Sequence, residues 1–221
     1  MTITIREPGS AITHLAGMII TFFAAFPLMV RAGRCGSLRV IIGISIFIGS
    51  MILLYLASTV YHSVTVCTRV LKTFRKIDHM MIFILIAGSY TPICLIVLDD
   101  VKGTVLLAVI WGLALVGMTV KFLWITCPKW FSSLIYIGMG WACVFVLPDL
   151  MRLLTPSAFK WLLAGGIIYT IGGVVYALSL PLFPQRKNFG NHELFHVFVM
   201  AGSICHIVCM CCILSPLPLA M

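Results

Sequence analysis

Apolar and polar residues follow one another in long blocks along this chain rather than singly. Asp, Glu, Lys and Arg are absent from seven stretches, 11–30, 40–68, 79–98, 103–120, 130–148, 161–185 and 194–221. Each is near or above the roughly 20 apolar residues that carry a helix across a bilayer. None shows the period-two alternation of a membrane β-barrel strand. The pattern predicts an all-α, polytopic membrane protein, a bundle of seven transmembrane helices. The spans fall at about 11–30, 40–66, 78–98, 103–122, 131–149, 161–183 and 192–214, in one domain over 1–221 with short loops. The first stretch reads as a span and not as a signal peptide, because Arg31 and Arg34 follow it directly and no Ala-x-Ala site does.

Composition sharpens this reading. The 221 residues are 62% hydrophobic and only 10% charged, against roughly 25% charged in an ordinary soluble domain. That excludes a soluble enzyme, a disordered chain and a disulfide scaffold. The net charge is +9. The basic residues lie between apolar runs, so their expected partners are membrane lipids and not nucleic acid. Alternation of spans puts Arg6, Arg69, Lys72, Arg75, Lys76, Lys121, Lys129, Arg186 and Lys187 on one side. Arg31, Arg34, Arg39, Lys102, Arg152 and Lys160 fall on the other, with Asp99, Asp100 and Asp149. Nine Lys and Arg against six predict the N-terminus inside and the C-terminus outside.

Other features read as packing. Cys205, Cys209 and Cys212 follow one stripe of the last span and serve as small apolar filler. Cys67 has only its position near a span end to suggest acylation. Gly165, Gly166, Gly172 and Gly173 form a close-packing face in the sixth span, and Pro92 predicts a kink in the third.

Ionisable groups in spans are costly, which makes each a candidate for function. Ser58 and His62 end the second span. Asp78 and His79 open the third, and His192, Glu193 and His196 open the seventh. These three ends share one membrane side whichever side is cytoplasmic. His192 and His196 are spaced i, i+4 and project from one helix face, as do Ser58 and His62. Three imidazoles from His62, His192 and His196 make a three-His zinc site with a fourth position open, the pattern of catalytic zinc. His14, His79 and His206 taken singly read as hydrogen-bonded core residues and, with Glu193, as candidate cavity lining. His206 lies ten residues past His196, about 15 Å deeper, too far to share its metal. His192-Glu-Leu-Phe-His196 also fits the HExxH pattern, in which the Glu is a general base. The plainer role for Glu193 is a first-turn acid on a helix capped by Asn191.

These residues carry a resemblance. Ser58-Thr-Val-Tyr-His62-Ser63 resembles the SxxxH motif of the progestin and adipoQ receptor superfamily. Asp78-His79 with Ile86-Ala-Gly-Ser-Tyr-Thr-Pro92 resembles the third-span motif of its bacterial branch, the hemolysin III family. Asn191-His-Glu-Leu-Phe-His196, then Ala201-Gly-Ser and His206, resembles that family's last span, and Thr13-His14-Leu-Ala-Gly17 its first. The resemblance implies a seven-helix bundle with its N-terminus inside, in a bacterial plasma membrane. It implies zinc on His62, His192 and His196, with Asp78 and Ser58 beside the metal. Ceramidases belong to the same superfamily, while the hemolysin name implies pore formation.

The chemistry expected of these residues is hydrolysis of a lipid-like amide or ester. Asp78 acts as general base and then acid, and Ser58 holds Asp78 or the developing oxyanion. A pore-forming cytolysin or channel is the alternative. The third reading is a receptor-like protein with structural zinc.

Overall fold

The computed structural model describes residues 5–179 and 189–219. Seven helices in it are long and apolar enough to cross a membrane. In chain order the elements are α1 (Pro8–Arg34), α2 (Leu38–Ser63), α3 (Thr68–Pro92), α4 (Val101–Leu123), α5 (Lys129–Gly140), α6 (Leu147–Leu153), α7 (Pro156–Leu178) and α8 (Asn191–Leu214). A π-helical turn, Ile93–Val97, continues α3 past Pro92 and joins it in one span. A 3₁₀ turn, Trp141–Val146, links α5 to α6, and these three make the fifth span.

Charged residues extend the helices beyond the predicted spans. α3 begins at Thr68, so Arg69, Lys72 and Arg75 are helical, and Asp78 and His79 lie in its third turn instead of opening it. Lys121 lies inside the fourth predicted span, which runs to residue 122. It sits in the last turn of α4, buried, with its ammonium donating to Ser132 Oγ at 2.5 Å and to Cys127 Sγ at 3.1 Å. Arg186, Lys187 and the end of the sixth predicted span lie outside the described residues.

The helices close into a ring. α1 packs on α2, α2 on α3, α3 on α5, α5 on α7, α7 on α8, and α8 back on α1. α4 stands outside this ring, mainly against α3. Leu54, Tyr55, Phe47 and Met51 of α2 are fully buried, as are Met210 and Leu214 of α8. Apolar residues cover the lipid-facing side, for example Phe22, Phe23 and Phe26 of α1. Lipid tails offer no hydrophobic drive to helix association, so close packing has to supply it. The glycines of α7 do this unequally. A Cβ on Gly172 would meet Phe198, one on Gly173 would meet Ile137, and one on Gly165 would meet His206. Gly166 meets nothing within 4 Å and faces the cavity described below. All nine cysteines are free.

At Pro92, where the sequence predicts a kink, the third span passes into a π turn, whose Leu98 N–H donates to Ile93 C=O at 2.9 Å. The turn brings the backbone of residues 94–98 against the start of α4. There a Cβ on Gly103 would come within 2.8 Å of the Cys94 carbonyl and closer still to that of Leu98. Backbone cannot rotate away as a side chain can. Gly103→Ala is therefore expected to destabilise the protein by about 1–3 kcal/mol, read as a lower thermal midpoint in detergent. An unchanged midpoint would show that this contact relaxes freely.

Five of the six acids have assigned partners. Asp99 pairs with Arg39, and Asp149 with Lys102 at 2.6 Å. Asp100 caps α4 by accepting from Gly103 N–H at 2.9 Å. Glu7 and Glu193 are described below. Asp78 alone has no ion pair or cap among the described residues.

Candidate metal centre

The last turn of α2 and the first turns of α8 meet at one end of the ring. His62 is the penultimate residue of α2, and His192 and His196 stand one turn apart on α8. Their ring centroids lie 5.0 Å (His62–His192), 5.2 Å (His62–His196) and 4.5 Å (His192–His196) apart. One nitrogen from each ring falls within 4.8 Å of the other two. The His62 and His192 Nε2 atoms are 3.3 Å apart.

Those distances suit a shared cation. Metal–nitrogen bonds of 2.0–2.1 Å in tetrahedral geometry put two ligand nitrogens about 3.3–3.4 Å apart. The hydrogen bonds behind two of the rings fit as well. His62 Nδ1 contacts the Glu7 carboxylate. An ionised carboxylate only accepts, so Nδ1 donates and Nε2 keeps its lone pair. His196 Nδ1 lies 3.1 Å from Thr13 Oγ1, whose own hydrogen goes to the Gly9 and Ser10 carbonyls. Thr13 therefore accepts from His196, and again Nε2 is left as the ligand atom. Partners of this kind orient metal-binding imidazoles and raise their basicity.

Glu7 was not singled out from the sequence, and Thr13 entered only as part of the first-span motif. A strap places Glu7. Its N–H donates to His62 C=O at 3.0 Å, and Arg6 Nη2 donates to Tyr61 C=O at 2.7 Å while lying 4.4 Å over the Tyr61 ring. The one available signal was an acid directly before the Pro8 that begins α1. Glu7→Ala is expected to weaken zinc affinity about 10–100-fold, measured by competition with a chromophoric chelator. Unaltered affinity would show that the carboxylate does not support the ligand.

Most of the other expected residues line one cavity. Asp78 is 7% exposed and lines a long cavity shared with His192 and His196. Ser58 is wholly buried beside the Asp78 carboxyl, close enough to act on it. Its hydroxyl nevertheless has no partner in hydrogen-bonding geometry, so the two are neighbours and not a formed pair. His79 lines the cavity, and its backbone carbonyl accepts from Tyr136 OH at 3.3 Å. His14 stacks face to face on His196 at 3.5 Å. Both ring nitrogens of His14 and of His206 lack hydrogen-bond partners among the described residues, which departs from the hydrogen-bonded core role expected of them.

Glu193 is occupied in capping. It accepts from Gly190 N–H at 2.8 Å and from Ser10 Oγ. The N-cap of α8 is Gly190 and not Asn191, which is the first helical residue. A carboxylate held by two donors at the helix start suits the helix dipole and is poorly placed to serve as the base of an HExxH site.

The cavity runs from this centre toward the opposite end of the bundle. Its walls come from α3, α5, α7 and α8, with Leu147 and Leu150 of α6 at the far end. The family model for haemolysin-III-related proteins matches residues 3–207. The chain belongs to that family. It is 37% identical over 205 residues to Hemolysin-3 of Bacillus cereus, covering 93% of this chain and 90% of that one. It is 35% identical over 208 residues to the Hemolysin-3 homolog of Bacillus subtilis (strain 168), covering 94% of each. A progestin and adipoQ receptor-like protein 1 of Caenorhabditis elegans is 27% identical over 233 residues, 90% of this chain and 50% of that one. No solved structure matches. Family membership and seven spanning helices together make this a multi-pass membrane protein.

Proposed function

We propose that the protein is a zinc-dependent intramembrane hydrolase of a lipid-like amide or ester, with its N-terminus and its metal centre on the cytoplasmic side of a bacterial plasma membrane. The observation that carries this reading is a group of three imidazoles, two of which line the same largely apolar cavity as the buried carboxyl of Asp78. His62, His192 and His196 hold the ion. Three nitrogen ligands favour zinc over the oxygen-seeking cations and leave a fourth position open. Zinc in such a site polarises a carbonyl and lowers the pKa of water to about 7.

The chain's own residues do the rest. The apolar walls around Ile86, Leu162 and Val199 accept an acyl chain and hold its carbonyl end near the imidazoles. Asp78 takes the proton of the attacking water and returns it to the leaving amine or alcohol. Ser58, buried beside it, keeps the carboxyl directed at the reacting end with a small movement of either group. Glu7 and Thr13 keep His62 and His196 in the tautomer that leaves Nε2 free. The bundle excludes bulk water, which strengthens each of these electrostatic effects.

Incubation of the purified protein with a total lipid extract tests the reading. Loss of one amide or ester class, with its free acid appearing and a chelator stopping both, is the expected result. Lipids unchanged after prolonged incubation of zinc-loaded protein would sink it. The printed name of the Bacillus cereus relative supports a second reading, a membrane-lytic protein. Apolar side chains make most of the cavity wall, whereas a conducting pore needs polar groups exposed along its length. Dye release from vesicles that persists after His62, His192 and His196 are all replaced would favour lysis.

A further inference from the structure

We propose that the deep end of the cavity binds a hydroxyl carried part-way along an acyl chain, so that the preferred substrate is the amide or ester of a mid-chain hydroxylated long-chain acid. The proposal rests on the reading of the three-His centre as the point that holds the acyl carbonyl.

His206 is the basis. Its side chain lines the same cavity as His192 and His196, and the residue is only 8% exposed. Neither ring nitrogen has a hydrogen-bond partner among the described residues. Buried polar groups are nearly always satisfied, and each exception calls for an explanation. The nearby hydroxyls do not supply one. Tyr55 OH and Tyr169 OH both bond Ser203 Oγ, at 2.7 Å and 2.8 Å, and so satisfy one another. The imidazole is also held in place. It packs edge-on to Tyr169 at 5.4 Å, and a Cβ on Gly165 would stand 2.6 Å from its Nε2. The glycine leaves room for the ring, whose Cδ2–Nε2 edge lies against α7, and the residue lines the cavity.

The chemistry of the ligand follows. A neutral imidazole offers one donor and one acceptor. A hydroxyl also does both, so it pairs with either ring nitrogen in either tautomer. A saturated chain leaves the ring unsatisfied. An ionised group at this depth carries the cost of a charge inside the bilayer with no opposite charge beside it. Position follows from the helix. Ten residues of α8 separate His206 from His196, a rise of about 15 Å, which corresponds to the middle of a long acyl chain whose carbonyl lies at the metal centre. His14, 3% exposed and also without a hydrogen-bond partner among the described residues, lines the same cavity beside His196 and adds a second imidazole.

The test measures binding of three free acids to the zinc-loaded protein in detergent. These are octadecanoic acid, its mid-chain hydroxylated form, and the isomer hydroxylated next to the carboxyl. The mid-chain form is expected to bind about five-fold tighter than the unsubstituted acid, the worth of one net hydrogen bond. The isomer should gain nothing at this site. His206→Phe keeps the aromatic shape and should erase the mid-chain preference, bringing the ratio of the two acids' affinities to about one. Equal affinities in the wild-type protein overturn the proposal, and so does a preference that survives His206→Phe. The wild-type comparison decides alone if the variant does not fold. Chelation that leaves the unsubstituted acid's affinity unchanged overturns the metal-centre reading separately from the hydroxyl preference.

Discussion

His196→Ala is expected to strip the metal from the purified protein and abolish hydrolysis. The residue is buried, stacks on His14 and accepts support from Thr13, so its Nε2 has no substitute on α8. His192 and His62 would remain, and two imidazoles alone make an incomplete site. Zinc affinity should fall by more than the roughly 10–100-fold that losing a supporting residue costs. Elemental mass spectrometry on monodisperse protein reads the result directly. A variant that keeps full zinc content would remove His196 from the ligand set. Because the substitution also leaves a gap beside His14, a parallel measurement of monodispersity and helicity separates loss of the ion from loss of the fold.

Asp78→Asn is expected to separate chemistry from binding. The amide has the size of the carboxyl but cannot accept and return a proton. Zinc content should stay at the wild-type level, since Asp78 does not belong to the three-nitrogen group. Turnover should fall about 10²–10⁴-fold, the usual contribution of a general acid–base residue. The two readouts together distinguish this from damage to the centre. Undiminished turnover would assign the proton transfer elsewhere. Zinc lost in parallel with turnover would make Asp78 a support of the ligands instead. Ser58→Ala should have the same sign and a smaller effect, because Ser58 acts only through its neighbour.

Much of the architecture was legible because the bilayer imposes a simple rule. A span must satisfy its backbone internally and present apolar side chains, so charge-free stretches and helices coincide. The rule fails at helix ends. Charges cluster where the helix leaves the hydrocarbon, yet the helix itself continues, which is why α3 starts at Thr68; the burial of Lys121 in α4 depends on Cys127 and Ser132 beside it. The break in the fifth span at Trp141–Val146 had no warning from composition, since every residue there is apolar or small. The site was legible for a related reason. In a chain with so few polar residues, the i, i+4 pairs at span ends stand out, and alternation places them on one side.

The sequence by itself determined the seven spans, the shared end of His62, Asp78, His192 and His196, and the spacing that directs two imidazoles from one face of α8. Local periodicity and the hydrophobic thickness of a membrane are enough for that. Only the tertiary structure decided which polar groups meet. It brought Glu7 to His62 and Thr13 to His196, turned Glu193 into a cap, and left Asp78 without an ion pair among the described residues. It also placed His14 and His206 along the cavity, their ring nitrogens without hydrogen-bond partners among the described residues. Helix rotation and the path of the N-terminal strap set these contacts. Both depend on packing between elements far apart in the chain, where sequence spacing carries no information.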